Sequence, residues 1–394
     1  MRTVKFFDTT LRDGEQAPGN AMSVEQRVEL AEWIDLAGVD YIEGGFPSCS
    51  QADFEATKRI SELGLKATIC AFARAKAADI ECAIRATEDA AKSQIQLLLT
   101  GSEIHLEKKR RFSLQDAVDE ARESVRIARA NGAKHISLGC EDAARGSLDM
   151  LKQVISAGLE QGADCVVLAD TVGAALPNEF EEKVRAIREF VGDGVELSVH
   201  CHNDMGLAVA NTFAGLVGGA DCAQVSLCGI GERAGNTAME ELATVIRYRG
   251  HEVGMQSRLN PVQMVEACQK LISEISLVVS PQKPLIGRYV FSTAAGIHIS
   301  GMLQDPECYE YVSPEDYGRK REYLISRLSG RSVIADRLKK YNLYSSPELV
   351  DRMYRLITKS KEVHKYNNKE QFYDFYIQQK RHIYGQLNVE DGVR

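Results

Sequence analysis

Two histidines separated by one residue, His200 and His202, stand in the run ELSVHCHND. Side chains on an extended chain alternate between faces, so both imidazoles point the same way. Two same-facing imidazoles make half a metal site suited to zinc, manganese, cobalt or iron. One carboxylate with open positions completes a centre that also holds substrate, and Asp13 in TTLRDGEQ can supply it. The plainer alternative has one histidine packing or capping a loop and the other exposed. Further polar groups follow short apolar runs: Arg12, Glu15 and Gln16 beside Asp13, then Glu43, Glu141 with Asp142, and Asp170 with Thr171.

Three other motifs carry weaker signals. GIGERAGN (229–236) has glycines that let backbone approach a ligand, with Glu232, Arg233 and Asn236 beside them. Its third glycine is displaced from the dinucleotide fingerprint and it does not follow the first strand, so a nucleotide site is rejected. An ordinary turn is the bland reading. LEKKRRFS (106–113) gathers four positive charges, enough for a phosphate, although a solvated helix entrance is the reading preferred here. Cys140 beside Glu141 is read as packing, and no G-x-S-x-G elbow offers a hydrolase nucleophile.

Eight β-rich runs must position these groups: 4–10, 41–47, 66–73, 95–101, 135–142, 165–171, 196–204 and 222–229, each followed by a helical pattern. Eight evenly spaced β/α units without an early glycine fingerprint predict an α/β fold, a closed (β/α)8 TIM barrel, over an open doubly wound sheet. Every polar candidate above then falls at a strand's C-terminal end, where such barrels build their sites.

Twelve of the fourteen tyrosines lie from Tyr289 onward, and alanine occurs once after residue 300, at Ala335. This shift predicts a barrel over 1–279, then a linker at SPQKPLIG (280–287) and a mostly helical C-terminal region to 394. The net charge of −8 argues against nucleic acid as a partner. No apolar run approaches the ~20 residues of a membrane span, and sparse cysteines within strand-like runs read as free thiols of a reducing cytoplasm.

DTTLRDGEQAPG, EGGFPSCS, SEIHLEKK, CEDAAR, ADTVG, HCHNDMGLAVANT and GIGERAGNTAMEE resemble the 2-isopropylmalate synthase and homocitrate synthase family, at all eight strand ends in order. AGIHISGML, YEYVSPEDYGR and LSGR carry the resemblance to about residue 331. It implies a metal-dependent Claisen condensation of acetyl-CoA with a 2-oxo acid, followed by thioester hydrolysis. By match to the family motifs, Asp13, His200, His202 and Asn236 hold a divalent ion, zinc, manganese, magnesium or cobalt, which the 2-oxo acid chelates. Arg12 stabilises the developing alkoxide, with Gln16 orienting it. Glu141 and His298 are implied as the proton-transfer groups, with Tyr309 beside the histidine. Thr171 is matched to the substrate carboxylate, and Glu43, Ser137 and Gly139 to the substrate pocket. Family members are homodimers with shared sites, the tail of one subunit reaching its partner's barrel.

Departures bear on the substrate. Homocitrate synthases carry an arginine where this chain has Ser137, and isopropylmalate synthases commonly show serine where Gly139 stands. The 2-oxo acid therefore stays open among 2-oxoisovalerate, pyruvate, oxaloacetate, 2-oxoglutarate and less usual analogues. A lyase of the 3-hydroxy-3-methylglutaryl-CoA type is the second reading, disfavoured because the 229–236 loop contains no cysteine.

Overall fold

Eight parallel strands close into a barrel: β1 Lys5–Asp8, β2 Tyr41–Gly45, β3 Thr68–Arg74, β4 Ser93–Thr100, β5 His135–Glu141, β6 Cys165–Asp170, β7 Glu196–Cys201 and β8 Cys222–Val225. Closure comes from β1 pairing with β8, in the register Lys5↔Cys222 to Asp8↔Val225. This computed structural model describes residues 1–385, so the last nine residues of the expected C-terminal region lie outside the described residues. The chain divides into two units, Met1–Val279 and Ser280–Arg394.

The first unit carries α1 Val24–Ala37, α2 Gln51–Glu62, α3 Ala77–Ala86, α4 Leu114–Ala130 and α5 Leu148–Glu160. It continues with α6 Pro177–Val191, α7 Ala208–Val217, α8 Met239–Arg249 and α9 Pro261–Glu274. Local sequence sets their ends. Ser23 and Gln26 form a reciprocal capping box on α1, as Ser113 and Asp116 do on α4, each cap contributing about 1 kcal/mol. Gly38 ends α1 in the left-handed region, at φ 91°. Floor residues of the barrel include Phe7, Cys70 and Cys222, with the Tyr41 hydroxyl donating to Glu196 at 2.9 Å.

Most strands end earlier than their sequence patterns. After Asp8 the chain turns into a π-helical segment, Thr10–Gly14, and after Val225 into a 3-10 turn, Leu227–Gly229. The polar residues of TTLRDGEQ thus leave the pleat and turn across the barrel's C-terminal mouth, where irregular helices commonly mark functional positions.

In the second unit, α10 Gly296–Met302, α11 Arg331–Lys340, α12 Pro347–Lys359 and α13 Lys369–Tyr384 share a core that includes Ile299, Val333, Leu338, Met353, Ile357 and Phe372. A short parallel pair joins Ser292–Thr293 to Glu322–Tyr323. The stretch expected as a linker is tied into this unit: Arg319 donates to the carbonyls of Leu285 at 2.8 Å and Gly287 at 3.1 Å.

Candidate active site at the barrel mouth

A cavity of about 350 Å³ opens at the C-terminal ends of the strands. The period of two along each strand places its lining: Gln96 and Leu98 from β4, Gly139 and Glu141 from β5, and Val167, Ala169 and Thr171 from β6 or just beyond it. Arg12, Asp13, Gln16, Phe46, Phe72, Arg74, His200, His202, Gln224, Glu232 and Arg233 complete it.

At its floor, Asp13, His200 and His202 present ligand atoms within 4.8 Å of one another. His200 Nε2 lies 3.1 Å from His202 Nε2 and 3.5 Å from an Asp13 oxygen. Burial and the neighbouring His202 push the His200 pKa down, and burial likewise lowers that of His202, so both rings are neutral and carry lone pairs. Burial alone would raise the Asp13 carboxyl, yet the Arg12 guanidinium beside it holds it well below the usual carboxylate range. A neutral-imidazole pair facing a carboxylate fits a divalent cation. Asn236 adds a second sign: it bridges His202 in an antiparallel pair, and its buried side-chain oxygen accepts no hydrogen bond.

Arg12 is clamped between carboxylates, donating from Nε to Glu43 at 2.7 Å and from Nη1 to Asp13 at 2.9 Å, while its Cζ lies 4.6 Å from the Phe72 ring centroid. Burial raises the Glu43 carboxyl and the Arg12 charge opposes it. Glu43 is wholly buried and does not line the cavity, so it anchors Arg12 where it was expected to meet substrate. Ser137 is likewise fully buried, two residues below Gly139 on the same face of β5, and does not line the cavity. Gly139, Gln16 and Thr171 do. Thr171 Oγ1 accepts the backbone N–H of Asp142 at 2.9 Å, which leaves its own proton to donate.

Glu141 reaches the cavity with its Oε2 bound by Lys109 Nζ at 2.5 Å and 3.3 Å from His105 Nδ1. Both partners sit on a π-helical turn, His105–Arg110, which overlaps the basic run 106–113 read as a solvated helix entrance. Lys109 is exposed, in keeping with that reading, and its charge also pairs with a cavity carboxylate. Glu15 is structural, receiving the Met22 N–H and Arg27. Asp142 is buried and held by Arg145 and Ser102, and Asp170 caps the backbone of Ala174 and Ala175. Cys140 is buried, and burial pushes its thiol up to about 12, so it is no nucleophile.

The loops over the mouth are locked to one another. Arg233, at φ 56°, donates to both Asp204 oxygens and to the Thr171 carbonyl, pinning the 229–236 loop onto the segment after His202. A non-glycine residue in the left-handed region costs about 1 kcal/mol or more, and such strain gathers at functional sites. His298 and Tyr309 lie in the second unit, exposed, with rings stacked at a centroid distance of 4.3 Å.

Gln96 and Gln224 were not among the sequence candidates. Their signal was present: polar side chains at inward positions of SQIQLLLT and CAQV, in otherwise apolar strands.

Residues 3–271 match the profile of the HMGL-like family, and residues 285–365 match the homocitrate synthase post-HMGL domain-like profile. The chain is 39% identical over 339 residues to a 2-isopropylmalate synthase of Caulobacter vibrioides, covering 85% of this chain and 64% of that protein. It is 35% identical over 379 residues to methylthioalkylmalate synthase 3 of Arabidopsis thaliana, covering 91% and 75%. Among solved structures, the HMG-CoA lyase of Bacillus subtilis superposes with a TM-score of 0.62 at 17% identity, over 73% of this chain and 97% of that one, which shows a common fold. The chain thus spans a little under two thirds of the Caulobacter protein, and with its barrel profile covering residues 3–271 it belongs to the HMGL-like family.

Proposed function

We propose that this protein is a cytoplasmic acyltransferase that condenses acetyl-CoA with a 2-oxo acid and hydrolyses the thioester, yielding a 2-carboxymethyl-2-hydroxy acid and free CoA. The observation that carries this reading is the convergence of Asp13, His200 and His202 beside the Arg12 guanidinium on the floor of the barrel-mouth cavity. Asp13, His200 and His202, with Asn236, would hold a divalent ion, whose chemistry when bound is Lewis-acid polarisation of the keto group. Arg12 has two donors committed to Glu43 and Asp13, and its remaining N–H groups stabilise negative charge developing on the keto oxygen. Gln16 orients that oxygen, and the free Thr171 proton binds the substrate carboxylate. Gly139 leaves room for the 2-oxo acid's side chain.

Carbon–carbon bond formation requires a proton to leave the acetyl methyl. Glu141, held at the rim by Lys109 and His105, is the carboxylate assigned to that work, and His298 with Tyr309 from a partner subunit would complete proton transfer in a homodimer. The lyase alternative loses support because no cysteine lines the cavity among the described residues; the Cys228 thiol donates instead to the Cys268 carbonyl.

The test is release of free thiol from acetyl-CoA by the purified protein with manganese or zinc, across a panel of 2-oxo acids that includes dicarboxylates. Release dependent on one acid, and lost together with bound metal in His200→Ala, is the expected result. Thiol release that survives in a metal-free His200→Ala protein would overturn the assignment.

A further inference from the structure

A continuous line of buried hydrogen bonds runs beneath the cavity from Arg12 to His200. Arg12 Nε donates to Glu43 Oε2 at 2.7 Å, and Gln96 Nε2 lies 3.3 Å from Glu43 Oε1. Gln224 Nε2 is 2.7 Å from Gln96 Oε1, and His200 Nδ1 is 3.0 Å from Gln224 Oε1. Each of these side chains is at most 9% exposed, although Arg12, Gln96, His200 and Gln224 also border the cavity.

The direction of the line follows from its anchor. A carboxylate paired with arginine can only accept, so Gln96 must turn its NH₂ toward Glu43 and its oxygen toward Gln224. Gln224 must then turn its NH₂ toward Gln96 and its oxygen toward His200. One orientation of each amide satisfies every contact, and it leaves His200 Nδ1 as the donor.

We propose that Gln96 and Gln224 are positioning residues that hold His200 in the tautomer with its proton on Nδ1, leaving the Nε2 lone pair aimed at Asp13 and His202. The inference rests on the metal-site reading above for its purpose, though not for its geometry. It also ties the ion's ligand to the arginine: the same Glu43 that seats Arg12 fixes, two amides away, the face His200 shows the site. Partners of this kind behind a ligating histidine are worth roughly 10–100-fold in metal affinity.

Two measurements separate this inference from the reading it rests on. In metal-free, full-length protein with ¹⁵N-labelled histidine, long-range ¹H–¹⁵N correlations report each ring's tautomer, and His200→Ala identifies the His200 signals. The wild type is expected to show Nδ1–H at His200. Gln96→Met and Gln224→Met, which keep side-chain length and remove the amide, are expected to show a mixed or Nε2–H pattern. Wild-type His200 protonated on Nε2, or an unchanged pattern in both folded variants, overturns the proposal. Cobalt(II) titration against a competing chelator then reads affinity: roughly 10–100-fold weaker for Gln224→Met than for wild type. Tight cobalt binding by the wild type and equally tight binding by Gln224→Met refutes the positioning role while leaving the metal site standing. A wild type that binds no cobalt, yet loses the Nδ1–H signature in Gln96→Met, supports the relay and removes the metal reading.

Discussion

Arg12 meets two carboxylates and one aromatic face, and each contact uses the planar fork of a guanidinium. Lysine keeps the charge and loses the bidentate seat. Arg12→Lys is therefore expected to lower kcat by about 10²–10³-fold, the cost of removing one donor to developing oxyanion charge, with a much smaller change in KM; steady-state thiol release at saturating acetyl-CoA measures it. A second residue gives a pH signature. Asp8, fully buried and bonded only through Thr10, is raised from its ordinary 3.8 to about 7, by burial first and the Glu43 charge in addition. A carboxyl whose pKa rises on folding stabilises the fold below its unfolded pKa and loses that contribution as pH climbs through the folded value. Stability of chelator-treated protein should fall between about pH 4 and 7 by a few kcal/mol, on the order of 1.4 kcal/mol for each tenfold change in proton affinity, and Asp8→Asn should flatten that slope in urea titrations. Arg12, Asp13, His200 and His202 could be read from the sequence because strand periodicity and strand-end polarity are local properties. Gln96 and Gln224 were signalled only as inward polar positions; their pairing and the anchoring role of Glu43 were not legible, because which amide meets which across the barrel depends on register between β2, β4 and β8.

Strand ends and the loops after them decide what the cavity contains. The eight β/α units were legible as a rhythm, yet their ends shifted wherever a motif's polar residues abandon the ladder, as after Asp8 and Val225. In the basic run 106–113 the solvated charges were legible, but that Lys109 also meets Glu141 is settled by how closely the loops after β4 and β5 approach. That approach depends on Gly146, where an added Cβ would lie 1.8 Å from the Gly101 carbonyl oxygen. Backbone cannot yield as a flexible side chain does, so Gly146→Ala must push the two loops apart. The expected loss is about 1–3 kcal/mol of stability, and with it the Ser102–Asp142 bond and the seating of Glu141. Thiol release should drop more than stability alone explains, while cobalt binding at Asp13, His200 and His202, on other loops, stays intact. Urea unfolding beside a cobalt titration separates the two effects.

The barrel mouth holds acceptors of charge, ligands and one candidate base, whereas His298 and its stacked Tyr309 belong to the second unit and are exposed there. In the proposed dimer this exposed His298–Tyr309 pair is the group that reaches the partner's barrel. If one subunit's tail serves its partner's barrel, damage to the two parts should complement in trans. Arg12→Ala destroys the barrel's contribution and His298→Ala the tail's, and each homodimer should be nearly inactive. Mixed after reversible dissociation, half of the dimers are hybrids under random C₂ pairing, and each hybrid contains one site with both groups intact. Thiol release should recover to about a quarter of the wild-type rate, because one site in two is restored in one dimer in two. Sites built within single chains predict no recovery at any mixing ratio, since every site would then carry one of the two lesions.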